Sequence, residues 1–438
     1  MKYIIQSPEK LISASILLPA SKSISNRALI LKALSESAFA IENLSDCDDT
    51  EVMLAAFSAE KYEINIGAAG TSMRFLTAYL AQLEGKEHII TGTERMKNRP
   101  VRILVDALRQ LGADIEYLEK EGFPPLKIRG KKLAGGSVAL SGSVSSQYVS
   151  ALMMIAPSMT NGLILQLEGE IISRPYIRLT CQMMRDFGIT VFWEDNVIQI
   201  DKQNFHPVSY QVENDWSAAS YWYEILALSP DNASIELSGL YKNSAQGDSK
   251  IVELFENLGI STEFTESGIR LKKTNTLTSK FTYDFVNEPD MAQTFVVSCC
   301  LLNIPFRFTG LQSLKIKETD RIAALQKELK KLGFVVSDYE NSIMEWNGEK
   351  CDPEENPEID TYEDHRMAMA FAPASLVLGK ITINEPHVVS KSYPDYWEEL
   401  KKAGFNVNKN SLFKADCFGR RNSGNNIGRT YKNQHRNN

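Results

Sequence analysis

The 438-residue sequence predicts an α/β (α+β) protein of two similar domains, each assembled from repeated βαβαββ units. Three observations carry this expectation. The chain is longer than one hydrophobic core normally organises. Short apolar runs that read as strands lead repeatedly through a small or polar turn into a helical stretch. The helical stretches stop at Leu111-Gly112, Phe187-Gly188, Leu258-Gly259, Leu332-Gly333 and Ala403-Gly404, at intervals of 76, 71, 74 and 71 residues. That period is too long for a common solenoid and suits a compact multi-element unit.

Taken in order, Tyr3-Ile4-Ile5 reads as a strand and Ile16-Leu17-Leu18 as a second, ended by Pro19. Residues 28–34 read as a helix, so Lys22, Ser23 and Arg27 stand where a strand turns into a helix N-terminus. Free N–H groups and the helix dipole favour an anion there. The same stretch also reads as a plain helix start, with Ser21 or Ser23 as the cap and two surface cations. An acidic cluster at Asp46-Cys47-Asp48-Asp49 starts the next helix. The strand Ile64-Asn65-Ile66 then passes through Gly67-Ala68-Ala69-Gly70 into a helix over 75–80. This turn lacks GxxxxGK[ST] and is no Walker loop. It reads either as a tight βα turn or as a close backbone approach to an anion. The strand at 88–92 precedes Arg95, Lys97 and Arg99 in a loop, then a helix over 101–111. Ser145, Ser146 and Gln147 lead into a helix over 149–156 and supply neutral donors suited to phosphate oxygens. Ser173 precedes one over 177–187.

The second half follows suit, with Asp215, Asp290, Lys317, Glu318, Arg321, Arg366 and Lys391 at further helix starts. Lys22, Arg27, Arg95, Lys317, Arg321, Arg366 and Lys391 are each ordinary singly. Their recurrence at helix starts, with Asp290 and Glu318 in the same turns, points to a site for several anionic groups.

Ser-Lys-Ser-x-Ser-Asn-Arg at 21–27 resembles the first signature of the EPSP synthases, or 3-phosphoshikimate 1-carboxyvinyltransferases. Seven separate motifs extend the resemblance over about residues 3–407. It implies the inside-out α/β barrel of the enolpyruvyl transferases: two halves of three units each, helices inside and sheets outside. The chain would cross between halves near Ala20 and Asn214, giving one domain of 1–20 plus 214–408 and an inserted domain of 21–213. The resemblance assigns shikimate 3-phosphate to Lys22, Ser23, Arg27, Ser145, Ser146, Gln147, Ser173, Asp290 and Lys317. It assigns phosphoenolpyruvate to Lys22, Gly70, Arg95, Gln147, Arg321, Arg366 and Lys391. Asp290 would accept the proton of the 5-hydroxyl and Glu318 would protonate the enol methylene, with Lys22 and Lys391 completing the catalytic set. No metal and no organic cofactor is implied.

The sequence departs from the family pattern at Ala68, where Asn is usual, at Phe75, where Pro is common, and at Ser313, where Asn is common. It is also shorter between Thr50 and Gly67, so one unit is expected to be truncated. These departures bear on substrate affinity and on the response to glyphosate. The sibling transferase acting on UDP-N-acetylglucosamine is an alternative, disfavoured because no cysteine lies in a Gly/Pro-rich loop near position 95. A non-catalytic anion-binding relative is another, disfavoured by the presence of Asp290, Glu318 and Lys391.

Charge narrows the partners. The net charge is −7, and residues 409–438 hold seven Lys/Arg against Asp416, a local +6, so the remaining 408 residues carry −13. A body that acidic repels a polyanion, so nucleic acid is not expected. The apolar runs are too short to span a bilayer and no signal peptide is legible. Six cysteines without CxxC spacing suggest reduced thiols in a cytoplasmic protein, and five histidines without HExxH make a metal site unexpected; a monomer is expected. The Asn-, Gly-, Arg- and Ser-rich stretch 409–438 reads as a disordered basic tail.

Overall fold

The computed structural model describes residues 1–58 and 62–409. Its architecture follows from which helices are apolar all round. Every residue of Ala292–Leu301 is buried, as is every residue of His365–Phe371. Gly70–Ala81, Ser146–Ile155 and Trp216–Leu228 are buried along nearly their whole length. Helices without a polar face belong in the interior. The strands alternate instead: Gly136–Ser141 and Leu163–Glu168 bury every second side chain and turn the others to solvent. Such sheets need cover on one face only. Helices inside and sheets outside is the arrangement that results.

One unit is repeated. Strand Glu63–Asn65 runs parallel to Glu87–Thr91 with a helix between them, and the hairpin Asp114–Tyr117/Leu126–Arg129 completes the sheet antiparallel. The sheets formed by Gly136–Ser141 to Val197–Ile200 and by Phe281–Asp284 to Ile343–Trp346 have the same strand order and senses. In two further sheets the N-terminal segment supplies a strand. Ser13–Ile16 lies parallel to Ser234–Ser238, and Lys2–Gln6 sits between Lys380–Asn384 and Asn406–Lys409. The remaining sheet has only two short strands, Ile41–Glu42 and Tyr210–Gln211, among the described residues.

Buried hydrophobic side chains form two clusters. One takes Ile5 to Leu18 and Trp216 to Phe405, the other Ala20 to Val212. Between them the two crossing strands are paired: Ala20 bridges Asn214, Ser21 N–H donates to Glu213 O at 2.9 Å and Asp215 N–H to Pro19 O at 2.9 Å. We therefore propose the division into 1–20 plus 214–409 and 21–213.

Three expectations need correction. Lys409, assigned to the tail, closes strand Asn406–Lys409 and pairs with Tyr3; residues 410–438 lie outside the described residues. The helix expected to stop at Leu258-Gly259 ends at Glu256, and Leu258–Phe264 is a strand whose register shifts between Leu258 and Ile260. Gly112, Gly188, Gly333 and Gly404 do follow helices, at left-handed φ of 107, 81, 91 and 98°. They end the helices because such backbone is costly for residues with a Cβ. Finally, Lys22–Leu34 and Ser146–Ile155 begin earlier than their apolar runs, because polar residues of the first turn are themselves buried.

Phe295 is fully buried, its ring 4.5 Å from Phe255 and 5.5 Å from Phe285. Phe295→Ala is expected to lower unfolding stability by about 3–5 kcal/mol, read from urea denaturation of the full chain.

Candidate active site

The cleft between the halves is lined by helix N-termini. On the inserted half, Ser21 caps Lys22–Leu34 by accepting from Ile24 N–H at 3.5 Å, which leaves Ser23 out of the cap. Lys22 lies 3.8 Å from Asp49. Burial works against its ammonium, but Asp49, Cys47 and Glu318 outweigh burial and its pKa is raised. Arg27 is buried and donates to Thr180 Oγ1 at 2.7 Å, Ser23 O at 2.9 Å and Ser150 Oγ at 3.2 Å, all neutral acceptors. Its guanidinium also lies over the Phe75 ring at 5.3 Å, so the residue that replaces the usual proline supports a site cation. Burial pulls the Arg27 pKa down to about 10. A buried cation held only by neutral oxygens is a ready partner for an anion.

Helix Gly70–Ala81 carries no side-chain cap at Ala69. A Cβ at Gly70 would meet Arg99 Nη1 at 2.6 Å, so glycine is what lets the guanidinium approach. Arg74 donates to Gly70 O at 2.9 Å and to Gln147 Oε1 at 2.8 Å, while Gln147 Nε2 donates to Thr71 Oγ1 at 3.1 Å. Ser145 caps Ser146–Ile155, and Ser146 is buried beside it. Ser173, in left-handed backbone at φ 55°, donates its N–H across the cleft to Val286 O at 2.9 Å.

The other half is organised by Arg321. This buried guanidinium donates to Asp364 Oδ2 at 2.7 Å, Asp290 Oδ1 at 2.9 Å and Glu318 Oε2 at 2.9 Å. Asp290 also pairs with Arg366 at 3.2 Å and Lys317 at 3.4 Å. Burial would raise the Asp290 pKa; Arg366, Lys317 and Arg321 together hold it well below the carboxylate range. Glu318 is likewise held well below its usual value, against burial, by Arg321, Arg99 and Lys22. His365 is buried, its ring nitrogens have no hydrogen-bond partner, and burial with Lys22 and Arg366 nearby keeps it neutral.

Arg95 reaches over the cleft to Glu363 Oε2 at 2.7 Å and Tyr362 O at 3.2 Å, and Arg99 from the same basic loop lies against Gly70. Lys391 donates to Glu363 O at 2.8 Å at the rim. Sequence reasoning also passed over Asp49, Arg74, Tyr176 and Asp248, which lie in these clusters. Tyr176 OH is 3.3 Å from Asp248 and 3.5 Å from Asp290, and burial with Asp290 pushes Asp248 up to about 6. A separate cleft of about 850 Å³, lined among others by Arg178, Trp193, Lys242 and Phe264, contains none of the motif residues.

The family model described as EPSP synthase (3-phosphoshikimate 1-carboxyvinyltransferase) matches residues 6–59 and 56–400. The chain belongs to that family. A 3-phosphoshikimate 1-carboxyvinyltransferase of Bacteroides fragilis is 59% identical over 408 residues, covering 93% of this chain and 99% of the relative. One from Vibrio cholerae is 36% identical, covering 91% and 99%. The EPSP synthase structure from Acinetobacter baumannii superposes with a TM-score of 0.76 at 22% identity, over 93% of this chain and 100% of that one. The fold is thus the two-domain fold of the enolpyruvyl transferases. Among the described residues, no helix is long and apolar enough to cross a membrane.

Because the Asp290 pKa is depressed in the folded state, its stabilising contribution is full above the unfolded value of about 4 and is lost as pH falls below it. Asp290→Asn is therefore expected to lower Tm at pH 7, with the gap to the parent shrinking as pH falls below about 4. Thermal melts of both proteins across that range test the sign.

Proposed function

We propose that the protein transfers the enolpyruvyl group of phosphoenolpyruvate to the 5-hydroxyl of shikimate 3-phosphate, releasing phosphate, in the shikimate route to chorismate and the aromatic amino acids. The observation that carries this reading is Arg321 joining Asp290, Glu318 and Asp364 opposite the basic face formed by Lys22, Arg27 and Arg99. The reaction joins two anions and needs one proton acceptor and one proton donor in the same cleft.

Shikimate 3-phosphate lies against Lys22, Ser23 and Arg27, with its phosphate among Ser145, Ser146, Ser173 and Lys317 and with Gln147 shared between substrates. The phosphate of phosphoenolpyruvate takes Lys22, the Gly70 turn and Arg95, with Arg99 against that turn, and Lys391 closes over it. Its carboxylate takes Arg321 and Arg366. The Asp290 carboxylate pairs with those same two guanidiniums.

The chemistry follows from that exchange. As the carboxylate displaces Asp290, this group is freed to accept the 5-hydroxyl proton while the oxygen attacks C2. The substrate's charges also neutralise Arg99, Arg321 and Lys22, the cations that depress Glu318. The Glu318 pKa therefore rises on binding, so the carboxylate takes up a proton from solvent and delivers it to C3. The tetrahedral adduct then returns a C3 proton to the Glu318 carboxylate as the C2–O bond to phosphate breaks, the phosphate takes the proton held by Asp290, and Lys22, Arg99 and Lys391 stabilise the departing charge. We further read the protein as a cytoplasmic monomer that acts on these small molecules, with no nucleic-acid or membrane partner and no metal or organic cofactor.

Purified protein given shikimate 3-phosphate and phosphoenolpyruvate is expected to release phosphate only when both are present; no release would overturn the reading. Asp290→Asn and Glu318→Gln are each expected to cut kcat by about 10²–10⁴-fold while shikimate 3-phosphate still binds by calorimetry. Unchanged kcat in either variant removes that residue from the mechanism.

A further inference from the structure

The cleft of about 850 Å³ that holds none of the motif residues is walled by both halves. One wall is helix Arg174–Asp186 of the inserted half. Its apolar face, with Ile177 and Met184, is buried, and Arg178 and Arg185 stand exposed seven residues apart. Two turns of helix place them on one side, about 10 Å apart along the axis. The other wall is the segment 242–253 of the second half, which brings Lys242 and Lys250. Lys250 pairs with Glu253. Among the described residues, Arg178, Arg185 and Lys242 have neither an ion pair nor a side-chain hydrogen bond. The charged lining is these four cations with Glu253 and Glu288, or +4 − 2 = +2, on a body that is acidic. Glu288 is turned to Tyr283, whose OH donates to it at 3.0 Å, and burial pushes its pKa up to about 7. A concave surface of one sign concentrates its field on a counter-ion.

The same cleft offers aromatic surface. Phe264 and Trp193 are half-buried in its lining, and the fully buried Trp216 ring lies 6.4 Å from that of Phe264. Trp193 already takes the Arg174 guanidinium over its ring at 5.5 Å. The segment that carries Lys242 is held in place. Glu213, beside the crossing at Asn214, accepts from Tyr241 N–H at 3.0 Å, Ser244 Oγ at 2.5 Å and Gln246 Nε2 at 2.9 Å. A Cβ at Gly247 would meet Pro175 Cβ at 2.3 Å, so the two walls touch there. The next residue of each wall belongs to the active site instead: Tyr176 OH lies 3.3 Å from Asp248 and 3.5 Å from Asp290.

We propose that this cleft is a second ligand site, which binds an organic polyphosphate carrying a flat ring, of the size of a nucleoside triphosphate, between the two halves. A single small anion cannot span Arg178 and Arg185, whereas a phosphate chain reaches both and meets Lys242 from the opposite wall. The ring lies against Phe264 and Trp193, where stacking tolerates any flat π-surface. The volume is in the range that admits such a ligand. Because the site joins helix Arg174–Asp186 to the segment tied to Glu213, its occupant bridges the halves beside their crossing.

Calorimetry on the full chain tests this, with ATP in EDTA as the probe. ATP is expected to bind at one site per chain, more weakly as salt rises, and equally with or without excess shikimate 3-phosphate. Arg178→Glu with Arg185→Glu is expected to weaken ATP by about tenfold or more, and Lys242→Glu by about threefold or more. Arg178→Lys with Arg185→Lys keeps the charge and should stay within about threefold of the parent. All three positions are exposed, so these variants should melt with the parent. Inorganic triphosphate, which has the charge without the ring, is expected to bind about fivefold weaker than ATP, or less tightly still. No binding of ATP to the parent overturns the proposal, as does parent-like binding to the double glutamate variant. Displacement of ATP by shikimate 3-phosphate overturns it too, by placing ATP in the active site. Triphosphate as tight as ATP overturns the assigned ligand class. The proposed function is not needed: if shikimate 3-phosphate fails to bind at all, the double glutamate variant still decides where ATP sits.

Discussion

The buried guanidinium of Arg321 is the interaction on which the site depends. It is 1% exposed and carries three carboxylates from three separate segments, Asp290, Glu318 and Asp364. A cation in that position without partners would be untenable, and so would three carboxylates without it. Together they form a network with a fixed geometry, in which Asp290 and Glu318 are held ionised. The burden is electrostatic and local: Arg366 and Lys317 add to it on Asp290, and Arg99 and Lys22 on Glu318.

The two faces of the cleft solve the same problem in opposite ways. On the inserted half the inner helices begin at Ser21, Ala69, Ser145 and Ser173, neutral residues that leave the positive helix ends uncompensated. Arg27 adds a buried charge with only neutral acceptors. On the other half the caps at Asp215, Asp320 and Asp364 are carboxylates. There the cations already have partners, and a ligand must displace a carboxylate to gain them. One face is an open anion seat and the other a self-neutralised one. That asymmetry suits a site which must hold a phosphorylated acceptor firmly and change the protonation of its own acids when the second anion arrives.

The repeated unit explains how so many helix starts reach one place. Each parallel crossover buries its helix against its neighbours and leaves the sheet outside, so the polar first turn is the only part of an inner helix free to do chemistry. The unit with two short strands at Ile41–Glu42 and Tyr210–Gln211 delivers the helix Asp48–Ser58, and with it Asp49 beside Lys22.

The sequence alone determined the strand–turn–helix rhythm, the glycines that end four of the helices, and the identity of most cleft residues, because each is written in local pattern: apolar period, cap chemistry, left-handed stops. It did not determine what each neighbour in a basic loop contacts. Arg95 and Arg99 have equivalent local signals, and only tertiary contact separates them: Arg99 lies against Gly70 and Arg95 bonds Glu363 of the other half. Nor did it determine how the acids are held. Asp290 and Glu318 are ordinary in the chain, and their pKa values are depressed only when folding gathers them around Arg321. Proximity between distant segments creates those fields, and no local pattern encodes it.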